Sequence, residues 1–478
     1  MFSNNAFQIN YRKISLGILF IILLFFLLAT SFFIIVFHQF VPLIPLAPNI
    51  LGMKGQRTYL ILFQNNMELR PGGGFIGSYG IVSFNKGQMS PLTIHNVYDA
   101  DGLLHKHIEP YFIGRRYLQV HLYMRDSNFD VDFVKSAQKV AFMLQQETGQ
   151  KVDGVIAIDL SFVKSLIQVI SPVYVWQYND TMNADNFFLL TETHADKHSF
   201  YGSTQKQDFL RALFASIQAK IQTNKLSYAI PIIQKLAEGI QQKHILFMLS
   251  DPKLQSILTE NKFSSALWDP RKQTPGTIND FLGINEANIG VNKANYFLKR
   301  SITHQVAINT QGVIKEKLNI MYTNTTQAEK WPSGTYKNYL RVILPLHTVL
   351  QSITIDNKTQ NIVPAVTDFR KYEAPGFHPP QGLEVDTAEE AGKTIYGFIV
   401  PVGLKTTKIV SITYTLPQTV ILKNLSLYDL YVFKQPGMDN DSYTFTFNTP
   451  QGYKTNIPKP VTAPLSRDLG IQRHIIKL

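Results

Sequence analysis

The sequence contains no cysteine, which excludes a disulfide framework, a thiol nucleophile and a thiolate metal site. It does not fix the compartment, because a protein in an oxidising compartment can also manage without disulfides. No GK[ST] follows a glycine-rich turn, so a P-loop is excluded, and no G-x-S-x-G elbow or HExxH appears. Arginine-rich and zinc-finger patterns are missing, and with them the case for nucleic acid. Acidic residues are in deficit, 34 against 46 basic ones, for a net charge of +12. That excess favours anionic surroundings such as lipid headgroups or wall polymers. Charge is also sparse overall, at 17% against 45% hydrophobic residues, as in ordered globular chains long enough for two or three domains.

An uninterrupted apolar stretch without a charged side chain runs from Ile14 to Phe37. It is long enough to cross the roughly 30 Å hydrocarbon core of a bilayer. Arg12 and Lys13 precede it and no Lys, Arg, Asp or Glu follows until Lys54. The positive-inside rule therefore places residues 1–13 in the cytoplasm and everything after Phe37 outside. A signal peptide would have a shorter apolar core and a small-residue cleavage site, whereas bulky FFIIVFHQF closes this one. The expectation is an uncleaved signal anchor in the lipid bilayer, followed by a stiff linker at 38–54 containing Pro42, Pro45 and Pro48.

The rest of the chain is organised around Thr58–Tyr98. Tyr59–Phe63 reads as a buried strand. It opens into a polar loop with Gln64, Asn65, Asn66, Glu68, Arg70, Pro71 and three glycines, and a hairpin follows over Phe75–Phe84 and Leu92–Val97. The run Gly72–Gly77 satisfies GxGxxG on paper. The dinucleotide fingerprint needs a strand directly before it and a helix opening at it. Here eight polar or turn residues intervene and a strand follows. The glycines then serve a tight turn, or Gly73 and Gly74 form a backbone nest for an anion. Asn65, Asn66, Glu68 and Arg70 either position a phosphate or sugar, with Arg offering a bidentate fork, or form a hydrogen-bonded knot. Asp99 and Asp101 in YDADG, with Asp126 of the Arg125-Asp126 pair, offer hard oxygens that could hold Mg²⁺, though such sequences are also ordinary turns and caps. His95, His105 and His107 lack a zinc spacing. His194 and His198 fall in an expected loop and are not HExxH.

Helical spacing follows at Asp130–Gln146, with Asn128 or Asp130 as cap and Gly149 as stop. Strand and helix then alternate through Val152–Ile158, Leu160–Ile170 and Val173–Trp176, which predicts βαβ units and a partly parallel sheet. Residues 177–204 read as a surface loop. Helices are expected at Lys206–Gln222, Ala229–Lys243 and Pro252–Glu260, with a strand at His244–Leu249. From about Ile302 the period becomes two, and short strands separated by Gly, Pro and Asn turns suggest an immunoglobulin-like β-sandwich. The division is α/β over 55–300 and β-sandwich over 301–478, with a long connection at 357–390 and a loose tail from Pro458. Five N-x-[ST] sequons occur, as an Asn-rich chain generates by chance.

The run QNNMELRPGGGFIGSYG resembles the signature of the bacterial family called domain of unknown function 4012. RDSNFDVDFVKSA (125–137), VDGVIAIDLSFVKSLIQVISPV (152–173) and NIGVNKANYFLKRS (288–301) extend the resemblance over roughly 55–305. Lys293 of the last run joins Arg125 and the loop residues as anion-binding candidates. The family implies no assigned activity. The order of elements is also similar to LytR-CpsA-Psr proteins, membrane-anchored enzymes that transfer glycopolymers from polyprenyl pyrophosphate to peptidoglycan. That analogy implies Arg70 and Arg125 on pyrophosphate and Asp99 or Asp126 on Mg²⁺. It departs where an arginine-rich helix is expected, since KQDFLR at 206–211 holds Arg211 alone. Three functions follow as expectations. The first is envelope binding or scaffolding, with the charged loop buried. The second is Mg-dependent glycopolymer transfer on a polyprenyl phosphate substrate, with an open groove. The third is surface adhesion through an aromatic patch on the β domain.

Overall fold

The computed structural model describes residues 38–195, 205–269, 271 and 276–478. The expected anchor at Ile14–Phe37 lies outside them. Among the described residues no helix is long and apolar enough to cross a membrane. The chain divides into a unit ending at Ala47 and a large one spanning Pro48–Leu478. In the first, His38–Leu46 is a 3-10 helix with Pro42 and Pro45 inside it, and Pro48 falls in the short helix Ala47–Ile50, so the linker expected to be a non-helical spacer is helical.

The large unit opens with a six-stranded mixed sheet. Its central strand, Arg57–Asn65, pairs antiparallel with Phe75–Asn85 and parallel with Gly154–Asp159. Ile245–Leu249 then adds antiparallel at the edge. The apolar run predicted as a buried strand is one: Leu60 and Leu62 are fully buried and pack with Val140, Leu144, Val155 and Leu246 in one core. The helix Phe133–Thr148 covers the sheet. Its cap is Asp132, whose Oδ1 accepts from Val134 N at 2.8 Å. Of the two expected caps, Asp130 instead accepts from the Tyr111 hydroxyl at 2.5 Å and Asn128 Nδ2 donates to the Gly74 carbonyl at 2.7 Å. Leu160–Ile170 forms as predicted, capped by Asp159. The expected loop at 177–204 contains a helix, Phe187–Ala195. Its apolar face was hidden among Asn, Asp and Thr, yet Phe187 and Phe188 are buried.

Two larger sheets, of seven and eight strands, share a single apolar core and so pack face to face. That exceeds the seven to nine strands of an immunoglobulin domain. The strand Thr277–Asn288 lies in the middle of the eight-stranded sheet, between Tyr336–Pro345 and Leu425–Phe433. The sandwich therefore begins ahead of the 300/301 division expected from the change in period. Ile278, Leu282 and Ile284 of this strand face the sandwich interior. Phe281 and Ala287 face the other way, onto Val131, Leu267 and Phe129 of the α/β layer. The stretch expected to be a loose tail supplies two strands, Val461–Pro464 and Leu469–Lys477. The latter buries Ile471, Arg473 and Ile475 in alternation. Residues 357–390 likewise hold short strands and one helical turn between them.

Candidate functional site

The loop after Arg57–Asn65 leaves the sheet with a bulge at Phe63/Gln64 and dives between the α/β layer and the sandwich. Arg70 is 1% exposed. Its Nε and Nη2 donate to Asp126 Oδ1 at 3.2 and 3.0 Å, Nη2 also donates to Glu68 Oε1 at 3.0 Å, and Nη1 donates to the Asn288 carbonyl at 2.8 Å. Glu68 Oε2 accepts from Lys293 Nζ at 2.6 Å. Arg125 donates to Asp101 Oδ2 at 2.6 Å and lies 3.6 Å from Asp126 Oδ2. The result is a line of alternating sign: Lys293, Glu68, Arg70, Asp126, Arg125, Asp101. Burial pushes the Glu68 carboxyl upward, but Lys293 and Arg70 hold it below the ordinary value.

The structure thus brings together every charged anion-binding candidate and commits each cation to a carboxylate. The metal candidates do not assemble. Asp126 and Asp101 accept from guanidinium groups, while the exposed Asp99 accepts from Gln207 Nε2 at 2.9 Å. These oxygens are not the set that Mg²⁺ would need. Among the described residues, the group of His, Asp and Glu close enough to share an ion lies elsewhere, in the sandwich. His194 pairs with Asp180, and His198 lies outside the described residues.

The glycines serve close backbone approach. Gly73 has φ +128°, and a Cβ there would lie 2.3 Å from Gln64 Oε1; a Cβ at Gly74 would lie 2.5 Å from the Asn65 carbonyl carbon. Gly72 N and Gly73 N already donate to the Asn128 and Arg70 carbonyls, so the expected nest has little left to offer an anion. The loop is also stitched to the sandwich. Leu69 O accepts from Asn288 N, Pro71 O from Asn285 Nδ2, and Arg70 O from Gln435 Nε2.

Asn65 and Asn66 point outward from this knot. Asn65 Nδ2 donates to Glu192. Asn66 Nδ2 donates to Ser161 Oγ and to the Gly437 carbonyl, both at 2.8 Å. Asn66 Oδ1 is buried without a hydrogen-bond partner, and the residue lines a cleft of about 240 Å³ with Met67, Lys299, Met438, Asp439 and Asp441. Behind Asp439 stand groups that sequence reasoning missed. Ser161 Oγ donates to Asp439 Oδ1 at 2.8 Å. His244 Nδ1 lies 2.6 Å from Asp159 Oδ2, and its Nε2 lies 3.8 Å from Asp439 Oδ1. Asp159 thereby holds the imidazole with Nε2 toward the cleft. The one available signal was DLS at 159–161, a cap with a serine in the first turn. His244 is 85 residues from its partner, with no spacing to reveal it. Chemically the cleft offers carboxylate and amide oxygens to hydroxyl donors, one exposed ammonium and a methionine-lined wall.

No curated protein matches this chain. Among solved structures, protein gbs0355 of Streptococcus agalactiae is 13% identical, over 43% of this chain and 73% of that one, with a TM-score of 0.28. Lin1025 of Listeria innocua is 13% identical over 43% and 76%, with a TM-score of 0.23. An M1 zinc metallopeptidase of Deinococcus radiodurans is 10% identical over 38% and 42%, with a TM-score of 0.19. Likenesses this slight carry no conclusion for fold or activity. Residues 54–195, which include the loop and the strand-helix unit at Gly154–Ile170, match the family described as Protein of unknown function (DUF4012).

Proposed function

We propose that the chain is a membrane-tethered, extracytoplasmic protein of the bacterial cell envelope that binds or scaffolds, and that its ligand is a hydroxyl-rich wall glycopolymer. The apolar run Ile14–Phe37, the flanking Arg12 and Lys13 and the net charge of +12 support the location. The observation that carries the binding reading is the division of labour at the family loop. Its charges are sealed inside, while Asn66 and Met67 of the same loop line a cleft that also holds Lys299, Arg300, Asp439 and Asp441. Carboxylates and side-chain amides are suited to paired sugar hydroxyls, and the methionines Met67 and Met438 to the apolar face of a ring.

The transferase analogy to LytR-CpsA-Psr proteins calls for Arg70 and Arg125 facing an open groove beside an acidic pair. Arg70 is closed off by Glu68, Asp126 and Asn288, so the geometry does not favour that reading. An adhesin would present clustered aromatics on the sandwich. Among the described residues Trp331 and Tyr296 are the exposed aromatic side chains from residue 277 onward.

The test is titration of the full chain in detergent micelles with wall glycopolymer and with a polyprenyl pyrophosphate-linked glycan, each with and without Mg²⁺. Asp439→Asn is expected to weaken glycopolymer binding about tenfold, the scale of one charge-assisted hydrogen bond. Binding to neither ligand would sink the proposal. Mg²⁺-dependent binding of the pyrophosphate glycan, lost in Arg125→Ala, would move the protein to the transferase class.

A further inference from the structure

The interior of the sandwich holds three titratable side chains that the reading above does not use. Asp280 projects from Thr277–Asn288 of the eight-stranded sheet. His304 and Glu316 project from the neighbouring strands Leu298–Ile308 and Val313–Asn324 of the seven-stranded sheet. All three are essentially without solvent exposure. One ligand atom from each lies within 4.8 Å of the other two, and His304 Nε2 is 2.7 Å from Glu316 Oε2.

Each group is also gripped from behind by a tyrosine. Tyr428 donates to Asp280 Oδ2, Tyr414 donates to Glu316 Oε2 at 2.9 Å, and the Tyr443 hydroxyl lies 2.8 Å from His304 Nδ1. Glu316 Oε1 is left buried with no donor facing it.

We propose that this cluster is a divalent metal site of zinc type, bound by His304 Nε2, Glu316 Oε1 and an Asp280 carboxylate oxygen, which staples the two sheets together. Charge is the first argument. Two carboxylates and a neutral imidazole balance a dication, whereas two ionised carboxylates alone in a dry core repel. Burial raises both carboxyls, and the Glu316 charge raises Asp280 further. The second argument is the outer ring of hydroxyls. Nδ1–H donating to Tyr443 leaves the Nε2 lone pair for a metal, and Tyr414 and Tyr428 fix the carboxylates without using their remaining lone pairs. The third is ligand type. One nitrogen and two carboxylate oxygens suit Zn²⁺, at bond lengths of about 2.0–2.2 Å.

The rival account is a metal-free core in which Asp280 and Glu316 share one proton. The two differ in a measurable way. Untagged full-length chain is purified in detergent from zinc-replete cells and assayed by plasma mass spectrometry. It is then unfolded with chelator and refolded with Zn²⁺, Co²⁺ or no metal. The site predicts about one metal per chain, the intense visible bands of low-symmetry Co²⁺, and a higher thermal midpoint with metal than without. Glu316→Gln, which keeps the size but loses the charged ligand, abolishes binding. If that variant fails to fold, the cobalt spectrum of the wild type decides. Metal-free wild type, no cobalt bands and an unmoved midpoint would overturn the proposal. So would metal retained in a folded Glu316→Gln chain, since the ion would then sit elsewhere.

Discussion

Arg70 has both its carboxylate partners and a backbone carbonyl within hydrogen-bond distance, and solvent reaches almost none of it. Removing it would leave Glu68 and Asp126 buried with one cation fewer, and breaking such a pair costs about 3–5 kcal/mol. Arg70→Ala is therefore expected to lower the denaturant midpoint sharply. Arg70→Lys would recover only part of the loss, because an ammonium cannot serve two carboxylates and a carbonyl from one plane. An Arg70→Ala chain of wild-type stability that no longer binds glycopolymer would instead make Arg70 a ligand contact. At the end of the same line, Asp101 Oδ1 and Glu147 Oε2 are both buried without a donor. Burial, with Asp101 facing it, pushes Glu147 up to about 8. Its folded pKa lies above the unfolded value, so stability is fully present below about pH 4.5 and is lost as pH rises toward 8. The slope is at most about 1.4 kcal/mol per pH unit for one proton. Glu147→Gln should flatten that loss in a urea series from pH 5 to 8; an unchanged slope would assign it to other groups. The charged members of this network stand in the sequence as separate polar motifs, ELR at 68–70, DAD at 99–101, RD at 125–126 and Lys293. Their pairing does not, because Asp126 is 56 and Lys293 is 225 residues from the groups they neutralise.

Elements whose burial is one-sided or continuous were legible. Tyr59–Phe63, Leu160–Ile170 and Pro252–Glu260 carry apolar patterns and caps that act locally, and they form where those patterns place them. Thr277–Asn288 was not legible as a central strand, because TINDFLGINEAN places Asp280, Glu286 and Asn288 at inward positions where a strand pattern calls for apolar residues. Their partners are tyrosines and an arginine on other strands: Tyr322, Tyr336 and Arg300 all donate to Glu286. No local rule announces a polar core completed by distant chain. The same element-scale reasoning singles out Gly437, at φ +77°, where a Cβ would fall 2.0 Å from the Gly73 carbonyl oxygen. Gly437→Ala should part the two loops. Hydrogen exchange is expected to rise together over residues 66–74 and 435–441, with the sandwich strands still protected. Unaltered exchange in both segments would refute the close approach.

Residues 48–478 form one compact unit, although the sequence divides near residue 300. The reason is that the eight-stranded sheet is buried on both faces, on one by its partner sheet and on the other by the α/β layer. Calorimetry of the full chain should show one cooperative transition for this unit. Two separated transitions would mean that the layers unfold independently and that the loop does not couple them. The bonds between the loop and the sandwich also carry a consequence for biosynthesis. Glu68 and Arg70 leave the ribosome more than two hundred residues before Lys293 and Asn288, and Arg70 O waits 365 residues for Gln435. The family segment thus emerges first and is finished last. Until Lys293 is made the nascent chain holds an unmatched charge, and until Gln435 is made an open seam, a window in which a folding helper or a quality-control protease would find its substrate.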